Sequence, residues 1–240
     1  LSPAIFSWSI LAGALFLAAL VPFLSSLQGD QASRIIPLVG ALVPLSTWGI
    51  EALFLDLSLD HQQTLGLILL VVGAVVLTLS KTSARRSWSA IGKAKLAAIL
   101  FAASFVLTKY IYQQSDFLTA FMWMRLGGLL VSVALLLDAA VRQELSRLWR
   151  EQRRLLLGGY LGNQVVSGFG FLLKSYAISL GTATLVTAVQ GVQYAVLILL
   201  VLVASRIKPE LLQETINKRM MLEKLTAVAI VAAGLYLFAL

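Results

Sequence analysis

The sequence predicts an all-α integral membrane protein, a bundle of eight transmembrane helices, and three observations predict it. Of its 240 residues, 59% are hydrophobic and 12% charged, where a soluble domain carries about a quarter charged residues; too little polar surface is present to cover a globule in water. Eight segments approach the roughly 20 mostly apolar residues that a helix needs to cross a hydrocarbon core about 30 Å thick. Lys and Arg gather on alternate links between those segments, the pattern that orients membrane helices with basic loops in the cytoplasm.

The segments are 3–27, 35–55, 64–80, 96–112, 117–137, 155–179, 182–204 and 222–240. The first lacks a basic n-region and so is not a signal peptide; because the chain opens on Leu1 rather than Met, it is expected to be N-terminally incomplete. In the second, Pro37, Pro44 and Glu51 recur every seven residues and share a face. Proline frees a backbone carbonyl, which a membrane tolerates only against protein or a wet cavity, so that face is expected to point inward. The third is the shortest and spans if its flanks snorkel or the bilayer thins. The fourth carries Lys109 and the fifth Arg125. Between the fifth and sixth, Val141, Leu145, Leu148 and Trp149 fall at i, i+4, i+7 and i+8 among five arginines. That is the pattern of a helix in the headgroup plane, with a merely solvated charged helix as the alternative.

The sixth segment aligns Asn163, Ser167 and Lys174 in one stripe, and the seventh aligns Thr184, Thr187, Gln190 and Tyr194. Such stripes either hydrogen-bond between helices or line a hydrated transport cavity; amides, a cation and an aromatic together favour the cavity. Glycines serve packing: Gly158 and Gly162 form a small-xxx-small pair, and Gly66, Gly73 and Gly234 mark close approach.

Topology follows from charge. The links 81–95, 138–154 and 205–224 each carry five Lys or Arg, while 56–63 and 113–116 carry Asp56, Asp60 and Asp116 and no basic residue. The basic links are therefore expected in the cytoplasm and both chain ends outside, in a multi-pass plasma (inner) membrane protein. The net charge of +8 is taken up by this orientation and does not imply nucleic acid.

The chain also looks internally repeated. LQGDQASRIIPLVGALVPL at 27–45 and SLGTATLVTAVQGVQYAV at 179–196 each lead into a polar link and then a glycine-bearing helix, LGLILLVVGAVVLTLS or LTAVAIVAAGLYLFAL. Three spans precede the basic link and five follow it. The expected organisation is an incomplete first repeat, 1–80, a basic cytoplasmic linker, 81–95, and a second repeat, 96–240, the first lacking two helices.

The stretches GDQASRIIPLVGALVP at 29–44, LDHQQTLGLILLVVGAVVL at 59–77, FMWMRLGGLL at 121–130 and LGTATLVTAVQGVQYAVLILL at 180–200 resemble the EamA-type transporters of the drug/metabolite transporter superfamily. With its spacing, the resemblance covers nearly the whole chain. It implies ten helices in two inverted five-helix repeats around a central cavity, transport of small metabolites, and motif positions at Gln63, Gly66 and Gly73. Where the family commonly has Gly-Glu before the polar turn, this chain has Asp56-Leu57, so a role for that glutamate does not carry over. An odd number of helices per repeat places two copies upside down relative to each other, and such a pair can rock between two equivalent shapes with the substrate where the repeats meet.

Ionisable residues within the spans are few. Glu51, Lys109 and Lys174 lie three to five residues from an outer helix end, about 5–8 Å at 1.5 Å per residue, within snorkelling reach. Arg125 is deeper, about eight residues or 12 Å from the end, and is expected to face a cavity or lock helices. Three cations and one acid leave +2, which suits a substrate with an anionic group. The cavity-lining set is thus Arg125, Lys174, Asn163, Ser167, Thr187, Gln190, Tyr194 and Glu51, with Glu51 as the acid able to carry a coupling proton. The expected function is a secondary transporter of a small organic metabolite by alternating access. A lipid-carrier flippase is the alternative, followed by a non-transporting scaffold or an intramembrane enzyme. Enzyme chemistry finds little to work with: there is no cysteine, one histidine (His61), and no HExxH, GxSxG or Walker A motif. No cofactor or metal is expected; the partners are the bilayer and a small-molecule substrate, with a homodimer as one option and no nucleic acid.

Overall fold

In the computed structural model, residues 2–30, 32–79 and 87–190 are described, together with helical positions 193, 196, 226, 229, 230, 233, 234, 236 and 237. The described elements are α1 (Pro3–Gly29), α2 (Ala32–Phe54), α3 (His61–Leu79), α4 (Trp88–Gln114), α5 (Phe117–Leu136), α6 (Ala139–Leu155), a π-helical turn (Leu156–Tyr160), α7 (Leu161–Leu180) and α8 (Ala183–Val189). No strand occurs among the described residues. The chain is an all-α membrane protein: α1, α4 and α5 are long and apolar enough to cross a bilayer. Large apolar side chains such as Leu24, Leu118, Val165 and Phe169 stand exposed, as a surface against acyl chains requires. The link 205–224 and most of the segment 222–240 lie outside the described residues.

Local chemistry sets the helix starts. Ser2 Oγ accepts from the Ile5 N–H at 3.4 Å with Pro3 at the first helical position, where its missing N–H costs nothing. Asp60 and Gln63 form a reciprocal capping box on α3, Gln63 N–H donating to Asp60 Oδ1 at 2.9 Å and Asp60 N–H to Gln63 Oε1 at 3.3 Å. Ser87 caps α4, Asp116 caps α5 and Asp138 caps α6. The Thr119 N–H, 2.8 Å from Asp116 Oδ2, holds that exposed carboxyl below its ordinary range.

Two boundaries differ from expectation. Because Ser87 starts α4 at Trp88, Lys93 and Lys95 sit in its first turns rather than in a loop, and Lys93 Nζ donates to Ser25 Oγ at 2.7 Å. The apolar segment beginning at 155 does not start a new helix: α6 runs on through the π-helical turn, containing Gly158 and Gly159, into α7. The expected helix over 138–154 is present as α6.

The chain packs as two compact units. One comprises Leu1–Ala18 and Leu107–Thr182, the other Ala19–Val106 and Ala183–Leu240, so each draws on both halves of the sequence. In the first unit, Ala12, Ile111, Ala120 and Met124 form a core against which Ile5, Leu107, Tyr110 and Tyr112 pack. There α1 and α5 meet backbone to backbone: a Cβ on Gly13 would overlap the Met124 carbonyl and one on Gly127 the Ile10 carbonyl. Phe6 packs edge-on against Trp123 beside this crossing. In the second unit α4 buries an alanine face, Ala90, Ala94, Ala97, Ala98 and Ala102, spaced to lie along one side of the helix. Gly234 also approaches α3, less tightly, a Cβ there falling 2.9 Å from the Gly66 carbonyl oxygen. The expected close approach at Gly66 and Gly234 is therefore present. At Gly158 and Gly162 added methyls would meet nothing within 4 Å, so that pair packs no helix of this chain among the described residues.

Candidate functional site

The inward face of α2 supplies the first group. Pro44 is buried, Thr47 is buried with its Oγ donating to the Val43 carbonyl at 2.7 Å, and Glu51 is 2% exposed. Pro44 and Glu51 thus point inward as their spacing predicts; the side chain of Pro37 lies outside the described residues. Glu51 does not snorkel. Its Oε1 accepts from the Ala183 N–H at 2.9 Å, and its Oε2 from the Thr184 N–H at 2.8 Å and the Thr184 hydroxyl at 2.6 Å. The first N–H groups of a helix have no partner within it, and here a carboxyl group from another helix takes the place of an N-cap side chain. Thr187 is buried too, its hydroxyl donating to the Ala183 and Thr184 carbonyls at 2.9 and 3.0 Å, so that hydroxyl proton is engaged within α8. Gln190 is half-buried just beyond the described end of α8, and Tyr194 lies outside the described residues.

The second group belongs to the unit containing α5 and α7. Arg125 rises one turn after Phe121 on α5, and its guanidinium stands 4.7 Å from the Phe121 ring centroid and 3.6 Å from that of Phe171 on α7. Attraction to a ring quadrupole stabilises a charge at such a distance. Phe171 is itself steadied by edge contact with Phe16 at 5.0 Å. The Tyr112 ring lies tilted against Phe117 at 5.2 Å, and Phe117 meets Tyr176 edge-on at 5.4 Å. The Tyr112 hydroxyl is buried, with the Ser175 hydroxyl of α7 and the Arg125 guanidinium as its polar neighbours.

Other expected groups divide. Lys109 Nζ donates to the Ser179 carbonyl at 3.3 Å, in the last turn of α7 where a helix presents unpaired carbonyls and partial negative charge; it is a structural tie. Lys174 is half-buried on α7, whereas Asn163 and Ser167 are exposed, as is all of 161–170. The stripe on α7 is therefore not enclosed along its length within this unit. The Tyr112 hydroxyl and the Glu51 bond to α8 were missed by sequence; the only signal for the latter was a Thr-Ala-Thr step at the head of an apolar run.

No protein-family model and no curated protein matches the chain. Solved structures do. One, described only as "Crystal structure of protein", is similar over 98% of this chain and 78% of its own with a TM-score of 0.65 and 16% identity, a likeness of fold alone.

Proposed function

We propose that this chain is a secondary transporter of a small organic metabolite, built on eight transmembrane helices from two inverted repeats of the kind found in EamA-type drug/metabolite transporters, and working by alternating access. It would sit in the inner membrane with the links 81–95, 138–154 and 205–224 in the cytoplasm. The observation that carries this reading is Arg125. A permanent charge within a membrane-length helix needs a partner or a wet cavity, and this one, exposed on α5, has its guanidinium 3.6 Å from the Phe171 ring centroid. The guanidinium would take a carboxylate or similar anionic group of a substrate whose apolar body rests on the rings. The test is uptake of labelled small organic acids and amino acids into vesicles containing the purified chain. The Arg125→Ala variant should lose at least about tenfold in transport, as expected when a charge-assisted contact worth roughly 1.5–3 kcal/mol is removed, while Arg125→Lys keeps part of it. Equal transport by Arg125→Ala and the unmutated chain would overturn the reading.

A further inference from the structure

Among the described residues, the apolar face of α6 is covered by no other side chain. Val141, Leu145, Leu148 and Trp149 are 39 to 55% exposed, and every residue from Ala139 to Arg150 is exposed. A helix of this length is marginal in water unless an amphipathic face is buried, and among the described residues no side chain of the chain buries this one. Its position limits what can. α5 is long and apolar enough to cross a bilayer and ends at Leu136, and α6 begins at Ala139, so α6 starts where a spanning helix leaves the membrane. Its charge selects the surface: α6 contains five arginines and two glutamates, hence 5 − 2 = +3. One pair, Arg147 with Glu144 at 3.8 Å, is wide open to solvent and screened accordingly.

We propose that α6 lies on the bilayer and binds anionic phospholipid headgroups, with Val141, Leu145, Leu148 and Trp149 in the acyl boundary and Arg142, Arg147 and Arg150 drawing the helix to negative charge. The apolar face supplies membrane binding as such, and the arginines supply the preference for anionic lipid. The inference stands apart from the transport reading, because it concerns a surface that does not include Arg125, Tyr112 or Glu51.

The chain has no cysteine, so single cysteines can be labelled without background. Leu145→Cys on the apolar face and Gln143→Cys on the opposite one, each spin-labelled in the full chain, are placed in nanodiscs of phosphatidylcholine alone or mixed with phosphatidylglycerol. The Leu145 label should be more accessible to oxygen than to a water-soluble nickel chelate, the Gln143 label the reverse. The lipid-side signature at 145 should deepen in the anionic discs. Replacing Arg142, Arg147 and Arg150 together by Gln should abolish the difference between the two lipid mixtures while leaving position 145 on the lipid side. Equal nickel access at 143 and 145, a response at 145 that ignores phosphatidylglycerol, or spin–spin broadening that shows a second copy covering position 145 would each overturn the proposal.

Discussion

Three donors converge on the Glu51 carboxyl group at 2.6 to 2.9 Å, two of them backbone N–H groups at the head of α8. Glu51→Ala strands those donors in a buried site, and an unsatisfied buried donor costs about 1–3 kcal/mol. The variant should melt well below the unmutated chain in detergent. Thr184→Val removes only the hydroxyl bond and should cost about 1 kcal/mol. Because the two residues touch, the double variant should lose less than the sum; strict additivity would show that the contact contributes nothing. Sequence placed Glu51 on an inward face correctly from the seven-residue spacing. It gave no sign of a partner 132 residues away, since pairing across the fold leaves no local pattern. Asp56 is a second residue of this kind. It ends α2 with φ of 52°, a left-handed conformation that glycine adopts freely and other residues adopt at a cost. Asp56→Gly should therefore stabilise by ~0.5–1 kcal/mol in thermal or denaturant unfolding, and a loss of stability would mean that the aspartate side chain holds the turn.

Helix ends and helix faces were legible to different degrees. Each of Ser2, Asp60, Ser87, Asp116 and Asp138 stands directly before the helix it caps, and the Asp60–Gln63 box has the spacing by which such starts are recognised. Hydropathy alone put the start of α4 eight residues late, because a window tuned to apolar runs discounts Lys93 and Lys95 although they are helical. Glycine was harder to interpret. Gly158 and Gly162 have the spacing of a packing pair yet face open space, whereas Gly13 and Gly127, in no recognised spacing, bring α1 and α5 into backbone contact. Spacing shows which residues share a face and not what faces them. The two sets should respond oppositely to alanine. Gly13→Ala and Gly127→Ala each drive a methyl into a carbonyl on the neighbouring helix and should cost about 1–3 kcal/mol by overpacking. Gly162→Ala should be neutral or gain up to about 1 kcal/mol from helix propensity. Thermal stability in one detergent compares all three, and a destabilised Gly162→Ala would reveal a packing partner for α7.

At the scale of the molecule, composition and apolar length were enough for an all-α membrane chain, because lipid leaves the backbone few alternatives to helix. The packed units take Leu1–Ala18 with Leu107–Thr182, and Ala19–Val106 with Ala183–Leu240, so α1 and α4 each contribute to both; packing between segments distant in sequence leaves no local pattern to read. Orientation rests on a separate argument, the placement of Lys and Arg, and it can be tested through the missing cysteines. Gln114 closes α4 beside the acidic link, and Gln143 lies on α6 among the arginines; both are exposed. α5 separates them, and α5 is long enough to cross a bilayer. If α5 crosses, the two positions lie on opposite sides of the membrane. Basic links in the cytoplasm predict that Gln114→Cys reacts with an impermeant maleimide in intact cells and Gln143→Cys only after the cells are opened. The reverse pattern would leave α5 a span and invert the topology. Labelling of both in intact cells would show that α5 does not cross, and the eight-helix arrangement would fall with it, because every later link changes sides when one span is removed.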